Sequence, residues 1–314
     1  MIMKMRDQEK IKKLHHIIPR WYRKHRRVLQ WRTTTDPYEI LVSEIMLQQT
    51  QVSRVKEKLP LFLKKFPTLS ALTKASKVDV IYAWQGMGYN NRAVRVYELA
   101  RIVQNVYNSK LPRDVEQLLH LPGIGPYTAH AIACFAYRQR VPVVDVNIRR
   151  VLSRIFWKLN RIEQLKSEKE IWQLAHHALP RNAYLWNQAL MDLGATICNA
   201  RMPLCTSCPV KRYCSSRNLH NRTHSRAKGG GKAASEPLYK GIPRRIWRGR
   251  IVEALRTING KGPISLPALG KSIKQNFSHN ELDWLSEIVR KLEHDGLIST
   301  KQQSSTTYVS LAHE

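Results

Sequence analysis

Four cysteines, Cys198, Cys205, Cys208 and Cys214, stand within seventeen residues at the spacing C-x6-C-x2-C-x5-C. Thiols this crowded do not make a disulfide scaffold, and loops of six, two and five residues fold around a single metal centre. The loops lack the paired C-x2-C symmetry common in structural zinc sites, although the chemistry alone leaves zinc open. Arg201, Lys211 and Arg212 lie inside them, so the centre would also fold a basic surface. Cys134, in an alanine-rich apolar run, reads instead as a small core residue.

That basic surface belongs to a wider imbalance. The 314 residues include 53 Lys and Arg against 23 Asp and Glu, a formal charge of +30. An enzyme of small metabolites has no use for such a field. A polyanion explains it, with DNA or RNA foremost and an anionic membrane surface second. No apolar run approaches the roughly 20 residues that span a bilayer, so no membrane partner is expected. The first residues, MIMKMRDQEKIKK, carry acids and no apolar signal segment, which implies a cytoplasmic, nucleoid-associated protein.

Residues 121–150, LPGIGPYTAHAIACFAYRQRVPVVDVNIRR, suggest how a polyanion would be held. Gly123 and Gly125 punctuate a turn that runs into a helix, with Pro126 suited to its first position. Glycines allow close backbone approach, and a helix N-terminus offers unpaired N–H groups and a positive dipole end to a phosphate. About twenty residues on, Asp145 leaves the apolar run Val143-Val144 at what reads as a helix start.

The surrounding pattern is helical. Residues 1–32 read as a basic amphipathic helix around Leu14, Ile17, Ile18, Trp21 and Val28, kinked or restarted at Pro19. Asp36-Pro37, Thr68, Ser76, Asp114 and Ser167 look like helix starts, and Val96, Leu99, Val103 and Val106 form a stripe on a long helix beginning near Asn90. No strand is evident before residue 222, so the first two-thirds read as all-α. Residues 215–240 are polar, basic and glycine-containing, as in a flexible linker. Beyond them three helices precede two short strands, the order of a winged-helix domain.

The turn LPGIGPYTA, the Asp145 segment and the cysteine loop occur together, in this order, in the helix-hairpin-helix DNA glycosylases of the endonuclease III superfamily. Over residues 9–222 the chain resembles the MutY adenine glycosylases within it. Further matches are Trp31-Arg32, Asp36-Pro37-Tyr38, the run from Ser43-Glu44 through Gln48-Gln49-Thr50-Gln51-Val52, Trp84-Gln85-Gly86-Met87-Gly88-Tyr89, and Asn187-Gln188 to Gly194-Ala195. The resemblance implies a six-helix domain over 33–140 and an iron-sulfur domain from 1–32 and 141–222. A linker over 223–240 and a winged-helix-like α+β domain over 241–314 would follow. It also implies a [4Fe-4S] cluster on Cys198, Cys205, Cys208 and Cys214, and a monomer acting on mismatched double-stranded DNA.

Hydrolysing a base–sugar bond passes through an oxocarbenium-like state, which needs a carboxylate for the cation and an acid for the leaving base. It also needs the target extruded from the stack. Asp145 suits the first role, with Asn147 to orient it. Glu44, in an apolar helix segment where burial would raise its pKa, suits the second. Tyr127 stands where bifunctional relatives carry a lysine. A phenol cannot form their Schiff base, so base removal without strand cleavage is expected. By resemblance Gln49 and Tyr89 wedge into the stack, Gln188 contacts a base, and Arg32, Gly123 and Gly125 join the DNA surface.

The chain departs from MutY proteins at Asp145-Val146-Asn147, where they usually read Asp-Gly-Asn, and after Gly88-Tyr89. Both changes lean toward thymine/uracil mismatch glycosylases. The NUDIX-like C-terminal domain of MutY proteins is not recognisable. Phe277-Ser278-His279 repeats a tripeptide of that domain in a different context and reads as coincidence. The expectation is a monofunctional glycosylase excising adenine opposite 8-oxoguanine or guanine. Removal of thymine or uracil opposite guanine is the close alternative, and a non-catalytic lesion-binding protein the alternative of another class.

Overall fold

The computed structural model describes residues 5–158, 167–217, 236–258 and 262–312. The chain divides into two compact units, one of residues 1–40, 113–119 and 125–229, the other of 41–112, 120–124 and 230–314.

The first unit is helical. Helix α1 (Met5–His25) buries Ile11, Leu14, Ile18 and Tyr22 against α11 (Ala183–Thr196) and leaves its basic residues outward. Of the kink or restart expected at Pro19, there is no restart: one helix runs through it. Proline inside a helix costs about 3 kcal/mol, but the stripe Ile18–Tyr22 is buried on both sides of it, and packing overrides the local break. Val28, expected on the apolar face, is exposed beyond the helix end. Helices α7 (Val115–Leu119) and α8 (Pro126–Phe135) pack together, while α9 (Val146–Phe156) packs on α11 and on α10 (Glu168–His177). Ser167 and Glu170 form the capping box that opens α10.

The second unit begins within α2 (Pro37–Leu47) and continues through α3 (Val52–Lys65), α4 (Leu69–Lys74) and α5 (Lys77–Ala83). Thr68 and Ser76 cap α4 and α5 as their positions imply. Helix α6 (Asn91–Tyr107) lays Val96, Leu99 and Val103 against α4 and α5, but Val106 falls on its exposed side.

In the same unit, α12 (Arg244–Ile258), α13 (Leu266–Ile273) and α14 (Leu282–His294) precede an antiparallel hairpin of β4 (Ile298–Gln303) and β5 (Thr306–Leu311). This is the expected order. Two further pieces were not legible. Strand β3 (Ile264–Ser265) joins the sheet in the order β3-β5-β4, and a small hairpin, β1 (Leu238–Tyr239) with β2 (Ile242–Pro243), occupies the end of the expected linker. Two-residue strands carry no periodicity to read. Tyr239 holds the small hairpin by stacking on Trp284, with ring centroids 3.8 Å apart. Linker residues 223–235 lie outside the described residues. Phe277 packs where Gly270 has no side chain, and Ser278 pairs with Glu281 in a capping box, so that tripeptide opens a helix here.

Candidate active site and cysteine centre

In the first unit Asp145 is the N-cap of α9. Its Oδ1 accepts the Ile148 amide at 2.6 Å and its Oδ2 accepts Asn147 Nδ2 at 2.7 Å. Asn147 Oδ1 in turn accepts Arg150 Nη2 at 2.8 Å. The approach to the cap is pinned by Asn187, which accepts the Val143 amide and donates to the Val141 carbonyl. Asp145 is half-buried and makes no ion pair among the described residues. Burial raises its carboxyl above the usual range, and the amide donors of Ile148 and Asn147 pull the other way. The result is a carboxylate at the positive end of a helix, held by hydrogen-bond dipoles with the charge of Arg150 nearby. Gly194 lets α11 approach it, since a Cβ there would sit 2.6 Å from Asn147 Cβ.

Helix α8 begins at Pro126 behind Gly125, which is extended and provides no side-chain cap. A Cβ at Gly125 would meet nothing within 4 Å, so the backbone at this helix head is open to a ligand. Tyr127 is the second residue of α8 and is half-buried.

The four cysteines line one cavity together with Arg154, Ile197 and Leu204. Arg154, on α9, ties the loop down by donating to the carbonyls of Asn199 at 2.7 Å and Ala200 at 3.0 Å, and to Cys198 Sγ at 3.4 Å. Arg150 Nε donates to the Cys198 carbonyl at 2.7 Å, so one guanidinium links the first cysteine to Asn147. At the far end the amides of Ser215 and Ser216 return to the last carbonyls of α9. Burial pushes the Cys208 thiol up to about 12 and raises Cys205 and Cys214, with neighbouring sulfurs adding to the effect. Thiols so placed give up protons together only to a positive centre. Among the described residues no three His, Cys, Asp or Glu side chains are arranged to hold a single metal ion.

The second unit presents two turns. Gln49 and Tyr89 both adopt positive φ, 55° and 44°. Such conformations cost a non-glycine residue about 1–3 kcal/mol each and persist only where surroundings impose them. Arg92 imposes them. Its buried guanidinium donates to the carbonyls of Ile45, Met46 and Gln48 on one side and of Met87 and Gly88 on the other. Burial lowers its pKa to about 10, which leaves it charged at neutral pH. Gln48 Nε2 reaches the carbonyl of Gly123, whose φ of 82° explains that glycine. Glu44 is buried on α2.

Residues 42–177 match the family described as "HhH-GPD superfamily base excision DNA repair protein". The chain is 40% identical over 240 residues to the adenine DNA glycosylase of Mycobacterium tuberculosis, covering 75% of this chain and 76% of that one. This chain belongs to the MutY-like adenine DNA glycosylases. Among solved structures it is similar to a thermostable thymine-DNA glycosylase, with a TM-score of 0.64 and 34% identity over 68% of this chain and 99% of that one. A non-covalent endonuclease III–DNA complex shares the fold, with a TM-score of 0.59 and 20% identity over 68% of this chain and 98% of that one.

Within this glycosylase, Asp145, Asn147, Tyr127, Gly125, Gln188 and the cysteines fall in the first unit, and Glu44, Gln49, Tyr89 and Gly123 in the second. Gln188 is buried, and its Oε1 has no hydrogen-bond partner among the described residues. Arg32, expected on the DNA surface, is instead spent inside the protein: its Nη1 donates to buried Asp192 at 2.9 Å, beside Arg27 Nε at 2.7 Å. Sequence attached no role to Asp192, Arg92, Arg150 or Arg154. The available signal was a charged residue inside an apolar helical run, as in ALMDLGA and RAVRV.

Proposed function

We propose that this glycosylase hydrolyses the N-glycosidic bond of adenine mispaired with 8-oxoguanine or guanine in double-stranded DNA and leaves an abasic site. The observation that carries the reading is Asp145, a desolvated carboxylate in no direct ion pair among the described residues, where an enzyme needs charge that responds to a developing sugar cation. Glu44 donates a proton to the adenine ring as the bond to C1′ breaks. Water then adds to C1′ and returns a proton to Glu44. Tyr127 has no amine to attack the sugar, so the strand stays intact. Gln49 and Tyr89, held in strained turns, fill the gap in the stack. The open backbone at Gly125, reached through the turn at Gly123, takes phosphate, and the Oε1 of Gln188, unpaired among the described residues, awaits a base.

Cys198, Cys205, Cys208 and Cys214 would hold a [4Fe-4S] cluster, which when bound clamps the basic loop. All four sulfurs share one cavity, and their C-x6-C-x2-C-x5-C spacing lacks the paired symmetry common in structural zinc sites, which supports a cluster. We assign the cluster domain to 1–32 and 141–222, the six-helix domain to 33–140, the linker to 223–240 and the winged-helix-like domain to 241–314. The protein acts as a monomer in the cytoplasm, where DNA is available. Among the described residues no helix is long and apolar enough to cross a membrane.

A second reading, removal of thymine or uracil opposite guanine, draws support from the likeness to a thymine-DNA glycosylase and from Val146. Duplexes carrying A:8-oxoG, A:G, T:G and U:G pairs, treated with protein and then alkali, separate the two. Cleavage at adenine is expected; product from T:G or U:G alone transfers the assignment to the second reading. Iron analysis with a visible absorbance band checks the cluster, and a colourless zinc protein overturns it.

A further inference from the structure

Val146 follows Asp145 directly as the first residue of α9, and it is 74% exposed. The other flanks of the cap are closed. Ile148 is buried, and α11 comes so near Asn147 that Gly194 has no room for a side chain. The Val146 side is therefore the open side of the cap. In a helix each Cα–Cβ bond tilts toward the N-terminus, so this side chain leans into the space in front of the helix head. A β-branched side chain has few rotamers, which makes the valine a stiff apolar surface. In a chain of formal charge +30, an apolar group at this place offers nothing to a phosphate. It suits hydrocarbon.

The sugar of a target nucleotide presents hydrocarbon beside its reacting carbon, because C2′ of deoxyribose is a methylene. The departing base occupies the β face of C1′, so a carboxylate that stabilises the sugar cation approaches from the α face. The next residue in the chain, with its Cα about 3.8 Å from that of the aspartate, reaches the same face. Ribose carries its 2′-hydroxyl on that face. Arabinose carries the same hydroxyl on the opposite face, beside the base.

We propose that Val146 is a specificity-determining residue that lies against C2′ on the α face, admitting deoxyribose and rejecting ribose at the target position. The proposal rests on the glycosylase reading above and adds the sugar to it. A 2′-hydroxyl pressed onto the valine methyls loses its water and finds no partner. The 2′-hydroxyl is also the group by which a protein tells RNA from DNA at a given site.

The test uses duplex DNA with one deoxyadenosine, riboadenosine or arabinoadenosine opposite 8-oxoguanine, and base release by the full chain in single turnover. Both hydroxylated sugars withdraw electrons from C1′, so comparing them isolates the face that the hydroxyl occupies. The native protein is expected to release adenine from the arabinoside about tenfold or more faster than from the riboside, the factor set by one unpaired hydroxyl. Val146→Gly removes the apolar surface, and Val146→Thr keeps its shape while giving the hydroxyl a partner. Each should shrink the gap between riboside and arabinoside about tenfold and leave the ratio of arabinoside to deoxynucleoside in place. Because the residue is exposed, both variants should melt like the native protein. Equal release from riboside and arabinoside by the native protein overturns the proposal. So does a gap that neither variant narrows, or a change in rate common to all three sugars. If T:G or U:G is the substrate, the same three sugars are placed under that base and the same gap decides. A protein that releases no base from any of these mispairs defeats the glycosylase reading. One that releases base without discriminating the two faces defeats the assignment of Val146 alone.

Discussion

The head of α9 and the middle of α11 each carry an aspartate, and the two are held in opposite ways. Asp192 is fully buried and meets the guanidiniums of Arg27 and Arg32 as well as the Arg27 amide. Asp145 meets the Ile148 amide and the amide and side chain of Asn147, with no direct ion pair among the described residues. A carboxylate neutralised by two cations is a staple: its charge is spent before any substrate arrives. A carboxylate held by hydrogen-bond dipoles, with Arg150 near but not paired to it, keeps most of its field for a cation that forms later. Asp192 is also the more buried of the two, but it is the difference in partners that separates a structural aspartate from the one proposed to be catalytic.

Replacing each tests that distinction. Asp145→Asn keeps shape and loses charge, and base release in single-turnover assays should fall by about 10²–10³-fold while mispair binding survives. Its melting temperature should hold or rise. A carboxyl whose folded pKa is raised binds protons more readily in the folded state, so this group favours folding as pH falls through that value and opposes it above. By the same sign, the acid limb of the pH–rate profile should lie above the ordinary carboxylate range, with activity lost as pH falls. Asp192→Asn should do the reverse. It leaves the buried Arg32 beside Arg27 without a counter-charge, at a cost of about 3–5 kcal/mol, seen in chemical denaturation, with near-native turnover per folded molecule. Equal loss of turnover in both variants would erase the distinction.

Much of this was legible in the chain. The cysteine spacing, the glycine turn and the caps Thr68, Ser76 and Ser167 are local signals, and local signals survive into the fold. What was not legible depends on partners far away in sequence. Arg32 looks like a surface cation until Asp192, 160 residues on, is brought beside it. Asn90 looks like an ordinary helix start until Arg256 takes its side chain. Arg92 reads as one more basic residue in a basic chain, and only the fold reveals six carbonyls converging on it. Pro19 misleads in the other direction, because a local helix breaker is outweighed by a buried stripe that continues past it.

The two aspartates also share a mechanical link. Gly194 lies two residues beyond Asp192 and faces Asn147, so Gly194→Ala drives a methyl group to within 2.6 Å of the Asn147 Cβ. Neither atom is the end of a flexible chain, so the helices must separate, at about 1–3 kcal/mol for overpacking. The head of α9 moves with them, and turnover should fall alongside stability, unlike the response to Asp192→Asn. Asn147→Ala is the gentler probe of the same contact. It removes the 2.7 Å bond to Asp145 and the acceptor of Arg150 but leaves room. A net hydrogen bond is worth about 1 kcal/mol, so turnover should drop roughly fivefold to tenfold. The pH–rate limb should also shift upward, because one of the three donors that stabilise the ionised carboxylate is gone. A limb that stays in place while the rate falls would mean that Asn147 contacts the DNA and does not orient Asp145.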